Sequence, residues 1–553
     1  MFYLKKIGIV FFFLLLFQEA VTQTVAEYVI VFTDKPRMNN CLPSSFLSQR
    51  ALERRQRYHI PIVEEDYPID SLYIDAILRL DVNMQLISKS KWLNYIVVSC
   101  DTSLLDKIQQ IPFVKQVSAL HLIDYSALIQ GKVFREVLPE APNVHAENND
   151  EMVDTAWYGS MFPQIKIHNG HLLHHAGYKG EGMLIAILDC GYAGVYTLPA
   201  FEHLHNENRL LGHYDFVKEG GDMFSNNSHG MHVLSTMASN IPYTAVGTAP
   251  KAQYVIIKTE AFSYEQIREE YFLVEGLECA DSIGADVINI SLGYSVFNDT
   301  TTNHTFMDLD ELHSVASIAI SLSTEKGMLV SASAGNEGER AWKYINIPGN
   351  GYNTLCVAAV NSDGQFGEFS SRGSLSFKRL KPNIASAGWN TVLQQSNGDI
   401  SMGSGTSFSS PVNAGLVACL RQAYPQKNSH EIIQAIFQSC NHTFSPDTLT
   451  GYGIPDYWTA FRILEASSLS NDNILTVYPN PVQSILTVKA YYPKNIFRVE
   501  IIDITGRTLF VLPYKGNDCV HINTSNLSAG VYILRIHTDK KIITKRISKL
   551  TND

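Results

Sequence analysis

Between Asp154 and Ser470 the chain repeats one pattern: a short apolar run rich in β-branched residues, then a longer stretch with helical periodicity. The runs are Leu184–Leu188 (LIAIL), Tyr254–Ile257, Val287–Ser291, Met328–Ser333 and Leu355–Val360. Tyr264–Ser282 and Leu312–Lys326 are helical patterns between them. Apolar runs without polar alternation belong to strands covered on both faces, and the helices between them supply the crossovers. The pattern therefore predicts an α/β region, a mainly parallel sheet with helices on both faces. Ligands of such sheets bind outside the carboxyl ends of the strands. Asp189, Gly293 and Asn336 all fall at or just after predicted strand ends.

At 553 residues the chain is too long for this region alone. Residues 1–23 combine Lys5 and Lys6 with the run IGIVFFFLLLF and a small, polar end, the pattern of an export signal. That apolar core is too short for a comfortable membrane span. Residues 24–150 alternate strands (Tyr28–Phe32, Trp92–Ser99, Val114–Leu120) with helices (Ser44–Tyr58, Thr102–Gln110), which suits a small α+β domain. The polar, acidic stretch Glu140–Asp154 follows as an exposed linker. A small domain between an export signal and a larger region reads as a propeptide; the bland alternative is a permanent accessory domain. Residues 151–470 hold the α/β region. From 471 to 553 short alternating strands and turns (Ile485–Tyr491, Phe497–Ile502, Ile504–Val511, Gly530–His537) predict a C-terminal all-β sandwich.

The net charge of −11 and the lack of a basic run argue against nucleic acid as a partner. Eight cysteines without CxxC spacing form neither a metal motif nor a disulfide scaffold, and the sequence does not pair them.

The stretch Gly403–Pro411 (GSGTSFSSP) precedes an apolar helical run, Val412–Ala423, and sets Ser407 at a helix start among small residues. Such a setting suits a nucleophile, because N–H groups and the positive dipole end face developing negative charge. It equally suits an ordinary serine cap. Asp189 alone is a strand-terminating acid, and His229 alone is a structural histidine with His232 as its competitor. In chain order, however, Asp189, His229 and Ser407 match one of the recurring Asp-His-Ser arrangements.

The motifs around these residues resemble those of the subtilisin family of serine endopeptidases. They are AILDCGY (Ala186–Tyr192), HGMHV (His229–Val233), GTAP (Gly247–Pro250), DVINISLG (Asp286–Gly293), SASAGNEG (Ser331–Gly338), GTSFSSP (Gly405–Pro411) and GYGIPD (Gly451–Asp456). The resemblance implies Ser407 as nucleophile, His229 as general base, Asp189 as its orienting acid and Asn336 as oxyanion donor. It further implies that Ser291, Leu292 and Gly293, with Ser333, Ala334 and Gly335, pair with an extended substrate backbone. Cys190 stands where a threonine or serine is commoner, which puts a thiol near the site. Met231 replaces a usual threonine and is expected only to fill space. The family often binds calcium, but no loop here has convincing oxygen-ligand spacing, so no cofactor is expected. Asp299–Asp310 reads as a solvated insertion.

The tail motifs VYPNPVQSILTV, DITGR and LSAGVYILRI resemble the C-terminal sorting domain of the type IX secretion system. The alternative is a carbohydrate-type binding module. The whole predicts a secreted or cell-surface serine endopeptidase. Its expected partners are protein or peptide substrates, its own propeptide and the secretion machinery. The rival is a catalytically silent adhesin or binding protein on the same fold. An esterase is excluded by chain order and by the lack of a GxSxG elbow.

Overall fold

The computed structural model describes residues 25–37, 41–129, 132–139, 154–217, 222–225, 227–261, 264–309, 312–469, 475–490, 496–513, 519–538 and 542–551. The export-signal segment 1–23 and most of the acidic linker lie outside the described residues. By contacts, one compact unit runs to Ala460 and a second begins at Phe461.

Seven parallel strands build the central sheet of the first unit. Their order is Ile384–Ala387, Thr354–Val360, Leu329–Ser333, Val287–Ile290, Leu184–Asp189, Gln253–Lys258 and Leu210–Asp215. The chain starts at Leu184–Asp189, builds to one side, then crosses back and builds to the other from Val287–Ile290. That reversal opens a crevice between the carboxyl ends of these two neighbouring strands. Every residue of LIAILD, VINI, LVSAS and TLCVAAV is buried, which explains the missing polar alternation. The Thr406–Ala423 helix packs on the middle strands and is buried along most of its length. A helix small or apolar on all sides must be interior.

The N-terminal region forms a four-stranded antiparallel sheet, Gln85–Ser90, Tyr95–Asp101, Val25–Phe32 and Val114–Ala119. Successive residues of its inner strand serve two cores. Tyr28, Ile30 and Phe32 pack with Ile77, Ile96 and Ile108 inside the small domain. Val29 and Val31, with Tyr95 and Val97, join the apolar cluster of the central region that includes Tyr271 and Val274. The expected helix Ser44–Tyr58 is shorter, Gln49–Arg57, because Ser48 accepts from the Ala51 N–H and starts it there. The Ser71–Leu78 helix and the Gln85–Ser90 strand were not anticipated.

Charged groups flank this apolar contact. Arg54 and Arg55 both reach Asp281, and Arg55 also bonds Asp66 at 2.9 Å, with all four side chains at most 2 % exposed. Lys326 pairs with Glu65 and, at 2.9 Å, with Asp66. Glu278 accepts from Ser90 Oγ and from the N–H groups of Lys91 and Trp92 (3.0 and 2.9 Å). Farther along, residues 132–139 reach the amino ends of the strands. There the Val137 N–H donates to Asn353 Oδ1 (2.8 Å), and Glu136 lies 3.5 Å from buried Lys381.

The Asp299–Asp310 insertion corrects the expectation of a merely solvated loop. Two short 3-10 turns, Thr300–Thr302 and Phe306–Leu309, bury the His304 ring against Glu270 and beside Asp308. Burial opposes the charged ring, but these two carboxylates prevail and push its pKa up to about 9.

In the second unit, Leu475–Tyr478, Ile485–Ala490 and Cys519–Asn523 form one antiparallel sheet. Thr508–Pro513, Ile496–Ile502, Gly530–Thr538 and Ile542–Lys549 form the other. Val488, Val499, Ile501, Leu534, Ile536 and Ile547 lie in their shared core. The expected strand Ile504–Val511 begins later, at Thr508. Asp503 instead accepts from the N–H groups of Thr505 and Arg507 and makes a turn, with Gly506 at φ 88°.

Two measurements check these energetics. Asp281→Asn leaves two buried guanidinium groups facing a neutral amide, and removing one partner of a buried ion network costs about 3–5 kcal/mol. In a Ser407→Ala background, the urea midpoint of the first unit should fall accordingly, and an unchanged midpoint would refute that account. The stabilisation from His304 is complete below its ordinary pKa of 6.5 and fades as pH rises through about 9. The stability gap between the parent and His304→Gln should therefore narrow on moving from mildly acidic buffer to pH above about 9.

Candidate active site

Asp189 is the last residue of its strand and is fully buried. Its Oδ1 accepts from the Cys190 N–H (2.8 Å) and lies 2.7 Å from His229 Nδ1. His229 opens the His229–Ala238 helix, where its own N–H is capped by Asn227 Oδ1 at 2.7 Å. The glycines of the two motifs follow from this contact. A Cβ on Gly230 would sit 2.6 Å from the Tyr192 ring and 2.7 Å from Gly191 O, and one on Gly191 would sit 2.7 Å from Asn227 Cβ. The strand end and the helix start approach closely enough to pair only because both positions lack a side chain.

Two opposed effects set the basicity of His229. Burial lowers it, but the charge of Asp189 and the hydrogen bond to it prevail, and the pKa lies above the usual 6.5. His232 is shifted the other way, by burial and by the charge of His229. Its Nε2 has no hydrogen-bond partner among the described residues. The Cys190 thiol is buried, and burial with the adjacent Asp189 raises its pKa far above the ordinary thiol value. It is no activated nucleophile.

Ser407 is the second residue of the Thr406–Ala423 helix, which begins earlier than the apolar run at Val412 suggested. Pro411 lies inside that helix and has no N–H to give the Ser407 carbonyl four residues back. The Ser291 hydroxyl donates to that carbonyl instead, at 2.8 Å. The Ser407 hydroxyl in turn donates to Ser291 O at 3.2 Å. Buried small residues tie the next turn to the sheet. Ser410 Oγ donates to Asn289 Oδ1 (2.8 Å), and Asn413 Nδ2 donates to Ser331 Oγ (3.0 Å).

Asn336 accepts through Oδ1 from the N–H and hydroxyl of Thr406, at 2.9 and 3.1 Å. With its oxygen held on the residue before Ser407, its side-chain nitrogen lies on the Gly405 side of the same turn. Thr406 Oγ1 also accepts from the Gly335 N–H at 3.0 Å, so one hydroxyl fixes both the amide and the 333–335 segment.

Ser291–Gly293 and Ser333–Gly335 lie side by side past the strand ends, joined by Ser333 Oγ donating to Leu292 O at 3.1 Å. The Gly293 N–H and C=O have no hydrogen-bond partner among the described residues. Asn346 is a residue the sequence reading missed. Its side chain lies against both segments: a Cβ on Gly293 would sit 2.8 Å from its Cβ and 3.1 Å from its Nδ2, and one on Gly335 2.8 Å from its carboxamide carbon. No local signal marks it, since it lies far away in sequence. Asn227 had one, a polar run just before a helix.

The site thus brings together a carboxylate, an imidazole, a helix-start hydroxyl, an oriented side-chain amide and two backbone segments, of which Gly293 carries polar groups without a partner among the described residues. A cleft so equipped can bind an extended peptide and deliver a hydroxyl to its carbonyl.

Comparisons with known proteins agree with this reading. Residues 180–453 match the subtilase family of S8 peptidases, 27–131 the S8 propeptide domain of Bacteroidota, and 476–549 a secretion system C-terminal sorting domain. A thermostable alkaline protease of Halalkalibacterium halodurans is 27 % identical over 345 residues, covering 61 % of this chain and 84 % of its own. Subtilisin E of Bacillus subtilis is 29 % identical over 310 residues, 54 % of this chain and 71 % of its own. Among solved structures, MycP1 with the N-terminal propeptide removed is 21 % identical, covers 54 % of this chain and 96 % of its own, and superposes with a TM-score of 0.42. The chain is a subtilase-family serine endopeptidase, secreted or held at the cell surface, with an S8 propeptide domain before the catalytic region and a secretion sorting domain after it.

Proposed function

We propose that the enzyme cleaves protein substrates through Asp189, His229 and Ser407 by way of an acyl-enzyme. The observation that carries this is the 2.7 Å pairing of His229 with a buried carboxylate at the crevice, with Ser407 in the first turn of the Thr406–Ala423 helix. His229 Nε2 takes the Ser407 proton as Oγ attacks the peptide carbonyl, then gives it to the leaving amine. Asp189 holds the proton on Nδ1, keeps Nε2 basic and stabilises the imidazolium. The oxyanion receives the Asn336 amide and the Ser407 N–H, both fixed before substrate arrives. Water activated by His229 then releases the acyl group. Gly293, whose backbone groups are free among the described residues, pairs with the substrate backbone as an added strand, and the 333–335 segment walls the cleft beside it. All of these steps use groups of the chain itself.

On this reading the N-terminal domain is the enzyme's own propeptide, cut away during maturation. The tail engages the type IX machinery that carries the protein across the outer membrane.

The processed parent should hydrolyse unfolded casein and be labelled by a serine-directed phosphonate, and Ser407→Ala should do neither. A processed parent that is inert in both assays would favour the silent binding protein. Asn336→Leu should lower kcat by about 10²–10³, a magnitude taken from the subtilisin example of oxyanion-donor loss. Because His229 must be neutral to act, kcat/KM should rise with pH through a midpoint above 6.5. Asp189→Asn should lower the rate by about 10⁴, as the corresponding change does in a chymotrypsin-type triad. A pH profile flat across that range would remove His229 from the base role. For the tail, truncation after Ser470 should leave the protein in the periplasm, and normal surface or medium levels would refute the sorting role.

A further inference from the structure

Asp189, Cys190 and His229 each bring a ligand atom to one small volume behind the imidazole. A carboxylate oxygen, Sγ and a ring nitrogen all lie within 4.8 Å of one another. In a tetrahedral zinc site, bonds of ~2.0–2.3 Å set neighbouring ligands about 3.3–3.6 Å apart, so a small side-chain rotation closes the triangle. One further observation points to a cation. Asp189 is fully buried, yet no N–H or O–H donates to its Oδ2 among the described residues, and the Cys190 thiol is the group beside the carboxylate. A buried carboxylate oxygen without a donor is costly, and a coordinated cation would satisfy it. The donor set of carboxylate, imidazole and thiolate suits a borderline-soft divalent ion such as Zn²⁺ or Cd²⁺.

We propose that Asp189, Cys190 and His229 form an inhibitory site for Zn²⁺ or Cd²⁺, through which such an ion switches the enzyme off reversibly. Binding places the ion on Asp189 oxygen, Cys190 Sγ and His229 Nδ1. The thiol proton leaves to solvent, and the ring proton moves from Nδ1 to Nε2. Carboxylate and thiolate together balance the two positive charges, so the buried cluster is left neutral. The inhibition follows from the tautomer. With the ion on Nδ1, Nε2 carries the proton and cannot accept another from Ser407. That consequence rests on the triad reading above, whereas the binding site does not. Entry is from the solvent side of His229, whose side chain is 31 % exposed.

The test uses the full chain with Ser407→Ala for binding and the processed enzyme for activity. Cadmium added to the Ser407→Ala protein should produce an ultraviolet sulfur-to-cadmium charge-transfer band that Ser407→Ala/Cys190→Ser lacks. The second protein controls for the other thiols, and equal bands in the two would overturn the site. In the processed enzyme, Zn²⁺ should suppress peptide hydrolysis and EDTA should restore it. Cys190→Ser, or Cys190→Thr if the serine variant folds poorly, should keep the metal-free rate. It should need at least about tenfold more Zn²⁺ for the same suppression, the low end of what losing even an outer-shell partner costs a metal site. Equal Zn²⁺ sensitivity of parent and variant would overturn the proposal. A processed parent inert without metal would instead break the triad reading, and the cadmium band would still decide whether the site exists.

Discussion

The active site depends on a proline that deprives a helix of one hydrogen bond. Pro411 leaves the Ser407 carbonyl without its donor four residues on, and Ser291, from the end of a central strand, supplies one at 2.8 Å. A buried carbonyl must be satisfied somewhere, so this bond fixes where the buried helix meets the sheet. Because Ser291 belongs to a cleft segment, the same bond sets the position of Ser407 relative to the 291–293 segment. Ser410 and Asn413, both buried where the helix lies directly on the sheet, extend the lock to Asn289 and Ser331.

A similar economy joins the other two groups. Strand order alone sends Asp189 to the crevice, but the 2.7 Å contact with His229 requires the 190–192 turn and the helix start to touch. Glycines at 191 and 230 permit that contact. Thr406 does the equivalent on the oxyanion side, where one hydroxyl donates to Asn336 and accepts from Gly335. The positions that look like a motif in sequence are those where backbone segments approach too closely for a side chain, or where a single polar atom serves two partners.

Much of this was legible in the chain because fully buried parallel strands leave uninterrupted apolar runs and helices leave their period. The Leu184–Asp189 strand is read almost residue for residue, whereas the helix expected over Tyr264–Ser282 starts four residues later, at Arg268. What escaped reading depended on partners distant in sequence. The Gln85–Ser90 strand looks polar because Ser88 and Ser90 face glutamates on the Arg268–Ile283 helix. The insertion at Asp299–Asp310 looks solvated because the partner of His304, Glu270, lies far back in the chain. Asn346 leaves no local trace, yet its side chain explains why Gly293 and Gly335 are glycines. The 471–553 tail showed four of its strands and hid three, since a two-sheet sandwich reveals a strand only where one face is clearly apolar.

On the maturation proposed above, the interface with the propeptide domain carries a physical requirement that the catalytic core does not, because the domain holds during folding and later separates. A wholly apolar contact would leave the mature enzyme with a sticky helical face. Here the apolar part is wide, with Val29, Val31, Trp92, Leu93, Tyr95, Val97, Leu120, Ile123 and Leu128 joining the cluster around Tyr271 and Val274, and it is bordered by Asp281, Glu278, Asp286 and Lys326. Buried ion pairs add little net adhesion over an apolar equivalent, yet they penalise any misplacement heavily, because a shifted partner strands a charge. The apolar area supplies the adhesion of such a contact, and the ion pairs fix its register. Once the domains part, water reaches both sets of charges, which border the apolar strip that the enzyme then exposes. The charge on the Arg268–Ile283 helix therefore serves the joined state by fixing alignment and the separated state by keeping the surface soluble.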